Sequence, residues 1–277
     1  MKNLISKEQI EEFHKKGFIN VKGVYSVQEV NSINKQFRNH WIQLVQNGEI
    51  HAKEDRPLES LFPRMRDYHR KNPVIMKHTL KSEVFDLMKA VIGEEPLVIS
   101  TSYYFKSPTT RELPLHQDNY AFGVFPGTTY AAWVSLDYTD EQNGGLQFVR
   151  GTQEKELEDP EKDPTNVREY FSDKGQEINV PKGSYVENIT TNPGDVVIFN
   201  GNIIHGSTAN VTKDRYRRCL LTHFTGVSVE RLALNFNKLV NREGEKVRRR
   251  FNNNTKIAEK QGTIFSIKDA GYFDSWR

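Results

Sequence analysis

The stretch NPGDVVIFNGNIIHGS, residues 192–207, reads as a turn, a strand, a second turn and then a histidine. Asn192, Pro193 and Gly194 favour a turn, and Val196–Phe199 is a β-branched and aromatic run that suits a strand. Asn200-Gly201 is a strong tight-turn signal, so His205 emerges at the start of the next strand or loop. Working outward, segments of the same character recur: LVISTSYYF (97–105), TYAAWVSLD (129–137), GGLQFV (144–149) and RCLLTHF (218–224). Short strands separated by frequent Gly, Pro and Asn turns read as a sandwich or barrel.

The N-terminal part has a different period. Ser6 with Gln9 and Ser26 with Glu29 are capping boxes, Ile5 with Ile10 and Tyr25 with Val30 are staples, and Gly17 is a helix stop. Val30, Ile33, Phe37, Trp41 and Leu44 recur at helical spacing and are read as core. FINV (18–21) is a short strand, residues 51–80 are polar and irregular, and SEVFDLMKAVIG (82–93) is a helix closed by Gly93. The chain is read as one domain. Residues 1–95 are a mostly helical flank, 96–226 a β core with a polar excursion at 154–192, and 227–277 a charged helical tail.

Composition narrows the function. At 36% hydrophobic and 27% charged residues, the chain is ordinary for a soluble globular protein. A net charge of +3 is too small to point to nucleic acid, and the run VRRRF (247–251) reads as a solvated face or helix end. The single cysteine, Cys219, forms no intramolecular disulfide and reads as a small buried hydrophobe, which fits a reducing compartment. The N-terminus lacks the apolar core of a signal peptide and no stretch approaches membrane-spanning length. Asn188, Asn210 and Asn253 head chance sequons. The expectation is a cytoplasmic protein that acts on a small molecule, with neither nucleic acid nor membrane as partner.

RELPLHQDNY, residues 111–120, sets His116 and Asp118 two residues apart. On an extended strand such residues share one face. With His205 they make two imidazoles and one carboxylate, a facial set that suits ferrous iron and leaves other positions open. His14, His40, His51, His69 and His78 lack ligand spacing and read as surface or packing residues. Arg217, twelve residues after His205, offers a planar fork that matches a carboxylate. A dicarboxylic keto acid spans such a metal and such an arginine. The residues alone leave a second reading open, a basic surface cluster of Arg215, Arg217 and Arg218, with strand alternation placing Arg215 and Arg217 on one face.

LPLHQDNYAFGVFPGTTYAAWVSLDYTDEQNGGLQFVRGTQ (113–153), PGDVVIFNGNIIHGSTANVTKDRYRRCLLTHF (193–224) and the opening EQIEEFHKKGFINVKGVYSVQEV (8–30) resemble the phytanoyl-CoA dioxygenase family of non-haem iron, 2-oxoglutarate-dependent oxygenases. The resemblance implies a mainly β fold: a double-stranded β-helix, or jelly roll, flanked by N-terminal and C-terminal helices. It implies that His116, Asp118 and His205 ligate Fe(II) and act with the cosubstrates 2-oxoglutarate and dioxygen. It places Arg217 on the far carboxylate of 2-oxoglutarate. The interval from His205 is one residue longer than in the family, which keeps Arg215 as the alternative.

Ser207, Trp133 and Lys106 fall where the family lines the cosubstrate pocket. Tyr104, Asn119, Tyr120 and Phe122 flank the metal segment as candidate substrate contacts. Halogenases resembling the family carry a small residue at the carboxylate position. Asp118 is retained here, which favours hydroxylation of an unactivated C–H, with desaturation, epimerisation or ring formation as variants. The expected substrate is a small or mid-sized metabolite in natural-product tailoring, with acyl-CoA, phosphonate or amino-acid substrates as alternatives. From other classes, a metal-silent jelly-roll binding module and a cupin enzyme that uses no keto acid remain.

Overall fold

A computed structural model describes residues 4–55, 57–155, 178–233, 236 and 238–247. The N-terminal helices form where their caps direct. In α1 (Lys7–Lys16) and α2 (Val27–Gln46) both halves of each capping box are made, and Gly17 ends α1 with φ 87°, the left-handed region that glycine enters without a Cβ clash. Between the two helices lies β1 (Phe18–Val21). The polar stretch 51–80, expected to be irregular, instead holds α3 (Pro57–Leu61), β2 (Met65–Arg66), a 3-10 turn at Tyr68–Arg70 and α4 (Pro73–Thr79). The signal for α4 was present: Asn72 caps it, its side chain accepting from the Val74 and Ile75 amides, and Pro73 takes the first helical position. Helix α5 (Ser82–Ile92) closes at Gly93 as expected.

From residue 96 the chain is β. It runs β3 (Pro96–Lys106), β4 (Leu113–His116), a short α6 (Asp118–Phe122), β5 (Tyr130–Ser135), β6 (Leu146–Val149), β7 (Val186–Asn188), β8 (Val196–Asn200), β9 (Ile204–Ser207) and β10 (Arg217–Gly226). A hairpin of β11 (Leu239–Val240) and β12 (Lys246–Val247) follows. Among the described residues the larger sheet has the order β1-β8-β5-β10-β3-β11-β12, with β2 also on β3; the smaller is β4-β9-β6-β7. Asn200-Gly201 does turn the chain, but it carries it from β8 in one sheet to β9 in the other and forms no hairpin.

Alternation along the strands sorts the side chains between two cores. Trp133 and Leu221 of the large sheet pack with Leu146 and Phe148 of the small one, together with Phe18 and Phe199. The neighbouring residues Val134 and Leu220 face the other way, onto Val30, Ile33, Phe37, Phe85 and Met88 of α2 and α5. The large sheet is therefore covered on both faces, by the small sheet and by helices, as the jelly-roll expectation requires.

Two boundaries differ from the sequence reading. Residues 186–188, inside the expected excursion, pair with β6 as β7. Residues 239–247, inside the expected helical tail, form the β11–β12 hairpin, because the apolar pair Leu239-Val240 is buried against β3, Val240 beside Val98 and Leu239 with Leu97 and Ile99, and outweighs the helical composition around it. Residues 156–177 of the excursion and 234, 235, 237 and 248–277 of the tail, VRRRF beyond its first residue included, lie outside the described residues.

Candidate metal centre

β4 and β9 are antiparallel neighbours, and His116 is the register partner of His205. The two imidazoles, 89 residues apart in sequence, are thereby set side by side, ring centroids 4.3 Å apart. Asp118 does not continue the strand, as its spacing suggested. β4 ends at His116, and Asp118 is the first residue of α6. The contact survives because the link is pinned: the Gln117 side chain donates to the Asn202 carbonyl at 2.7 Å, and the Asn119 amide to the Gly201 carbonyl at 2.9 Å. Asp118 Oδ1 stands 3.5 Å from His116 Nε2 and Oδ2 stands 3.6 Å from His205 Nε2.

The donor set fits a divalent cation. His116 Nδ1 lies 2.8 Å from the Pro114 carbonyl and His205 Nδ1 lies 3.0 Å from the Ile203 carbonyl. A carbonyl only accepts, so each Nδ1 carries the proton and each Nε2 keeps a lone pair. Those two lone pairs and the Asp118 carboxylate converge, with one ligand atom from each residue and all within 4.8 Å of one another. Three acceptors at this separation repel unless a cation sits among them. Burial, with His116 next in weight, lowers His205 to about 4, which keeps it neutral and able to ligate. Burial would raise the Asp118 carboxyl, but the histidines around it, His223 foremost, hold it well below the usual carboxylate range.

His223 went unread in the sequence. Its Nε2 is 3.0 Å from Asp118 Oδ2 and its ring packs 4.5 Å from Phe122. The signal was available: His223 lies six residues after Arg217 on β10, an even interval, so both face one side of the sheet. His69 and His78 are packing residues as expected, bonded to Thr101 Oγ1 and Ser32 Oγ.

A second cluster of polar groups adjoins the metal set. Arg217 is 4% exposed; its Nε donates to the Gly144 carbonyl at 2.8 Å, its Nη1 lies 3.4 Å from Cys219 Sγ, and its Cζ is 5.9 Å from the Trp133 ring. Lys106, opposite Arg217 on β3, is fully buried, and its Nζ donates to Ser207 Oγ at 2.9 Å and to the Thr208 carbonyl. Burial and then the Arg217 charge push the Lys106 amine well below its ordinary range. Arg215 is placed differently. β10 begins only at Arg217, so strand alternation does not extend to Arg215, which forms a bidentate pair with Asp140 at 2.8 and 3.1 Å.

The four candidate substrate contacts divide. Tyr104 lies opposite Cys219 on the inner face. Phe122 lies against His223. Tyr120 is half-buried on α6. Asn119 is a correction: its Oδ1 accepts from the Val124 and Thr129 amides at 3.0 and 3.3 Å, so its side chain shapes the loop after α6.

The model of the phytanoyl-CoA dioxygenase family matches residues 13–219. A 2-aminoethylphosphonate dioxygenase of uncultured bacterium HF130_AEPn_1 is 29% identical over 165 residues, 58% of this chain and 57% of that protein. The peroxisomal phytanoyl-CoA dioxygenase of Bos taurus is 23% identical over 247 residues, covering 80% and 69%. The chain thus spans little more than half of the first relative and about two thirds of the second. Among solved structures, the non-haem alpha-ketoglutarate-dependent carbocyclase SnoK of nogalamycin biosynthesis shares the fold with TM-score 0.65 at 20% identity, covering 87% of each chain. EctD from S. alaskensis, solved with 2-oxoglutarate and 5-hydroxyectoine, does so with TM-score 0.64 at 20% identity, covering 85% and 81%.

Proposed function

Because the chain belongs to the phytanoyl-CoA dioxygenase family, we propose that it is an Fe(II)- and 2-oxoglutarate-dependent oxygenase that hydroxylates an unactivated C–H bond of a small or mid-sized metabolite. The observation that carries the reading is the convergence of the His116 and His205 Nε2 lone pairs on Asp118, beside the buried Arg217 and Lys106. His116, Asp118 and His205 would hold the iron. When bound, iron and 2-oxoglutarate supply dioxygen activation, coupled to loss of carbon dioxide and formation of succinate.

The chain's own residues do the positioning. The Pro114 and Ile203 carbonyls fix both histidine tautomers, and His223 fixes the rotation of the Asp118 carboxylate. Arg217 is the anchor for the far carboxylate of 2-oxoglutarate, held by the Gly144 carbonyl and bearing on Trp133, with Lys106 and Ser207 alongside. Tyr104, Phe122 and Tyr120 line the substrate side. Retention of Asp118 supports hydroxylation over halogenation. A role in natural-product tailoring is supported by the likeness to a carbocyclase of nogalamycin biosynthesis.

Anaerobic addition of ferrous iron and 2-oxoglutarate tests the reading. The expected result is the weak visible charge-transfer band of the chelate, lost in His116→Ala and Asp118→Ala together with substrate-linked succinate release. A protein that binds iron and shows no band leaves the binding module or the keto-acid-independent cupin enzyme in its place.

A further inference from the structure

Two polar atoms on the inner face of the large sheet stand unpaired beside the metal centre. Ser100 of β3 and His223 of β10 are register partners, so their side chains are neighbours on one face. Both residues are buried, 1% and 2% exposed. Among the described residues, neither Ser100 Oγ nor His223 Nδ1 has a hydrogen-bond partner, and both atoms are closed off from solvent. Buried polar groups are nearly always bonded, so two adjoining exceptions call for a physical account.

The surroundings of His223 narrow that account. On its other side β5 sets Ala131 opposite it, a methyl group with no polar atom. Phe122 packs on the ring, centroids 4.5 Å apart. Thr129, two residues before Ala131, donates its hydroxyl to the Phe224 carbonyl at 3.0 Å. Ser102, two residues beyond Ser100, accepts from Arg64 at 3.0 and 2.8 Å. Of these neighbours, Ser100 alone has an unengaged hydroxyl. Directly opposed residues hold their Cβ atoms about 4.5–5.5 Å apart, a gap that rotation of the serine side chain between staggered positions can close.

The available protons give the pair a direction. The Asp118 carboxylate only accepts, so the proton that His223 turns toward Oδ2, at 3.0 Å, sits on Nε2. Nδ1 then bears a lone pair and requires a donor, and a serine hydroxyl has one proton to give. With the proton on Nδ1 instead, the Nε2 lone pair would face the carboxylate and repel it.

We propose that Ser100 is a positioning residue for the metal centre. Its hydroxyl donates to His223 Nδ1 and holds the ring in the Nε2–H tautomer. His223 in turn holds the Asp118 carboxylate where Oδ1 stands 3.5 Å from His116 Nε2 and Oδ2 stands 3.6 Å from His205 Nε2. The step from Asp118 to a bound metal rests on the oxygenase reading above; the step from Ser100 to His223 does not.

The test labels the histidines of the full-length chain with 15N and records two-bond 15N–1H correlation spectra at about pH 8, above the ordinary histidine range. The His223 signals are those lost in His223→Phe. Wild type and Ser100→Thr, which keeps the hydroxyl, are expected to show the Nε2–H tautomer alone, and Ser100→Ala a mixture of both tautomers. Cobalt(II) titration is expected to give about tenfold weaker affinity in Ser100→Ala and wild-type affinity in Ser100→Thr. Ser100→Cys, a weak donor of similar size, is expected to fall between them and decides the matter should Ser100→Ala not fold. In a His223→Phe background Ser100→Ala is expected to change cobalt affinity no further, because the two residues act as one unit. An unchanged tautomer in Ser100→Ala, an unchanged cobalt affinity, or an affinity loss that persists in the His223→Phe background overturns the proposal. A wild-type protein that binds no cobalt(II) overturns the metal-centre reading, while the tautomer spectra still decide the Ser100–His223 pair.

Discussion

His223 Nε2 stands 3.0 Å from Asp118 Oδ2, closer than either His116 or His205 stands to the same carboxylate. An ionised carboxylate only accepts, so the imidazole donates and fixes the rotation of a metal ligand. Replacing His223 with Phe keeps the ring against Phe122 and removes the donor. Cobalt(II) titration is expected to show metal affinity lowered about 10–100-fold, with the melting temperature of the metal-free protein retained. His223→Gln, whose amide reaches as Nε2 does, is expected to recover most of it. Wild-type affinity in the Phe variant removes His223 from the site.

Arg217 and Arg215 separate by the same kind of measurement. Loss of a charge-assisted bond to a carboxylate costs roughly 1.5–3 kcal/mol, so Arg217→Ala is expected to weaken 2-oxoglutarate binding about 10–100-fold. Arg215→Ala breaks a partly exposed pair with Asp140, which contributes about 0–1 kcal/mol to stability, and leaves keto-acid affinity unchanged. Titration of the chelate band reads both. The reverse pattern gives the anchor to Arg215.

Gly144 lies against both buried cations, Lys106 and Arg217. Its φ is +99°, a region other residues rarely enter, and a Cβ there would collide with Lys106 Cδ. Its carbonyl also accepts from Arg217 Nε. Gly144→Ala is expected to displace both cations and weaken 2-oxoglutarate binding while cobalt(II) binding persists. Unchanged keto-acid affinity in a folded variant contradicts the placement of the pocket.

His69 gives the fold a pH dependence away from the metal centre. It is buried, bonded to Thr101 Oγ1, and burial lowers it from 6.5 to about 4, opposed by Asp67. The unfolded chain takes up the proton first as pH falls, so the contribution is present above pH 6.5, is lost as pH falls toward 4, and is flat below that. Between pH 7 and 5 the loss is about 2 kcal/mol, or about 4–8 °C in melting temperature. His69→Gln is expected to remove that share of the dependence in scans of both proteins. Parallel curves rule it out.

Much of the site was legible because it is local. His116 and Asp118 are two residues apart, and His205 follows a turn whose residues declare it. His223 was not legible in the same way. Its side chain gains meaning only from strand pairing, β10 against β3 and β5. Asn119 shows the converse, since a polar residue beside a metal ligand reads as a contact until its bonds to Val124 and Thr129 are seen.

By itself the sequence determined the elements: capped helices at Ser6 and Ser26, β-branched runs punctuated by Gly, Pro and Asn, and three residues, two histidines and an aspartate, suited to one ferrous ion. These follow from interactions within a few residues of each other. Only the tertiary structure decided that Arg217 faces inward while Arg215 is held by Asp140, that Asp118 opens a helix yet still meets both histidines, and that β7 and the β11–β12 hairpin form where loop and helix were expected. The physical reason is where each strand begins and which sheet it joins. Register and burial fix these between segments distant in sequence, and alternation then assigns every side chain its face.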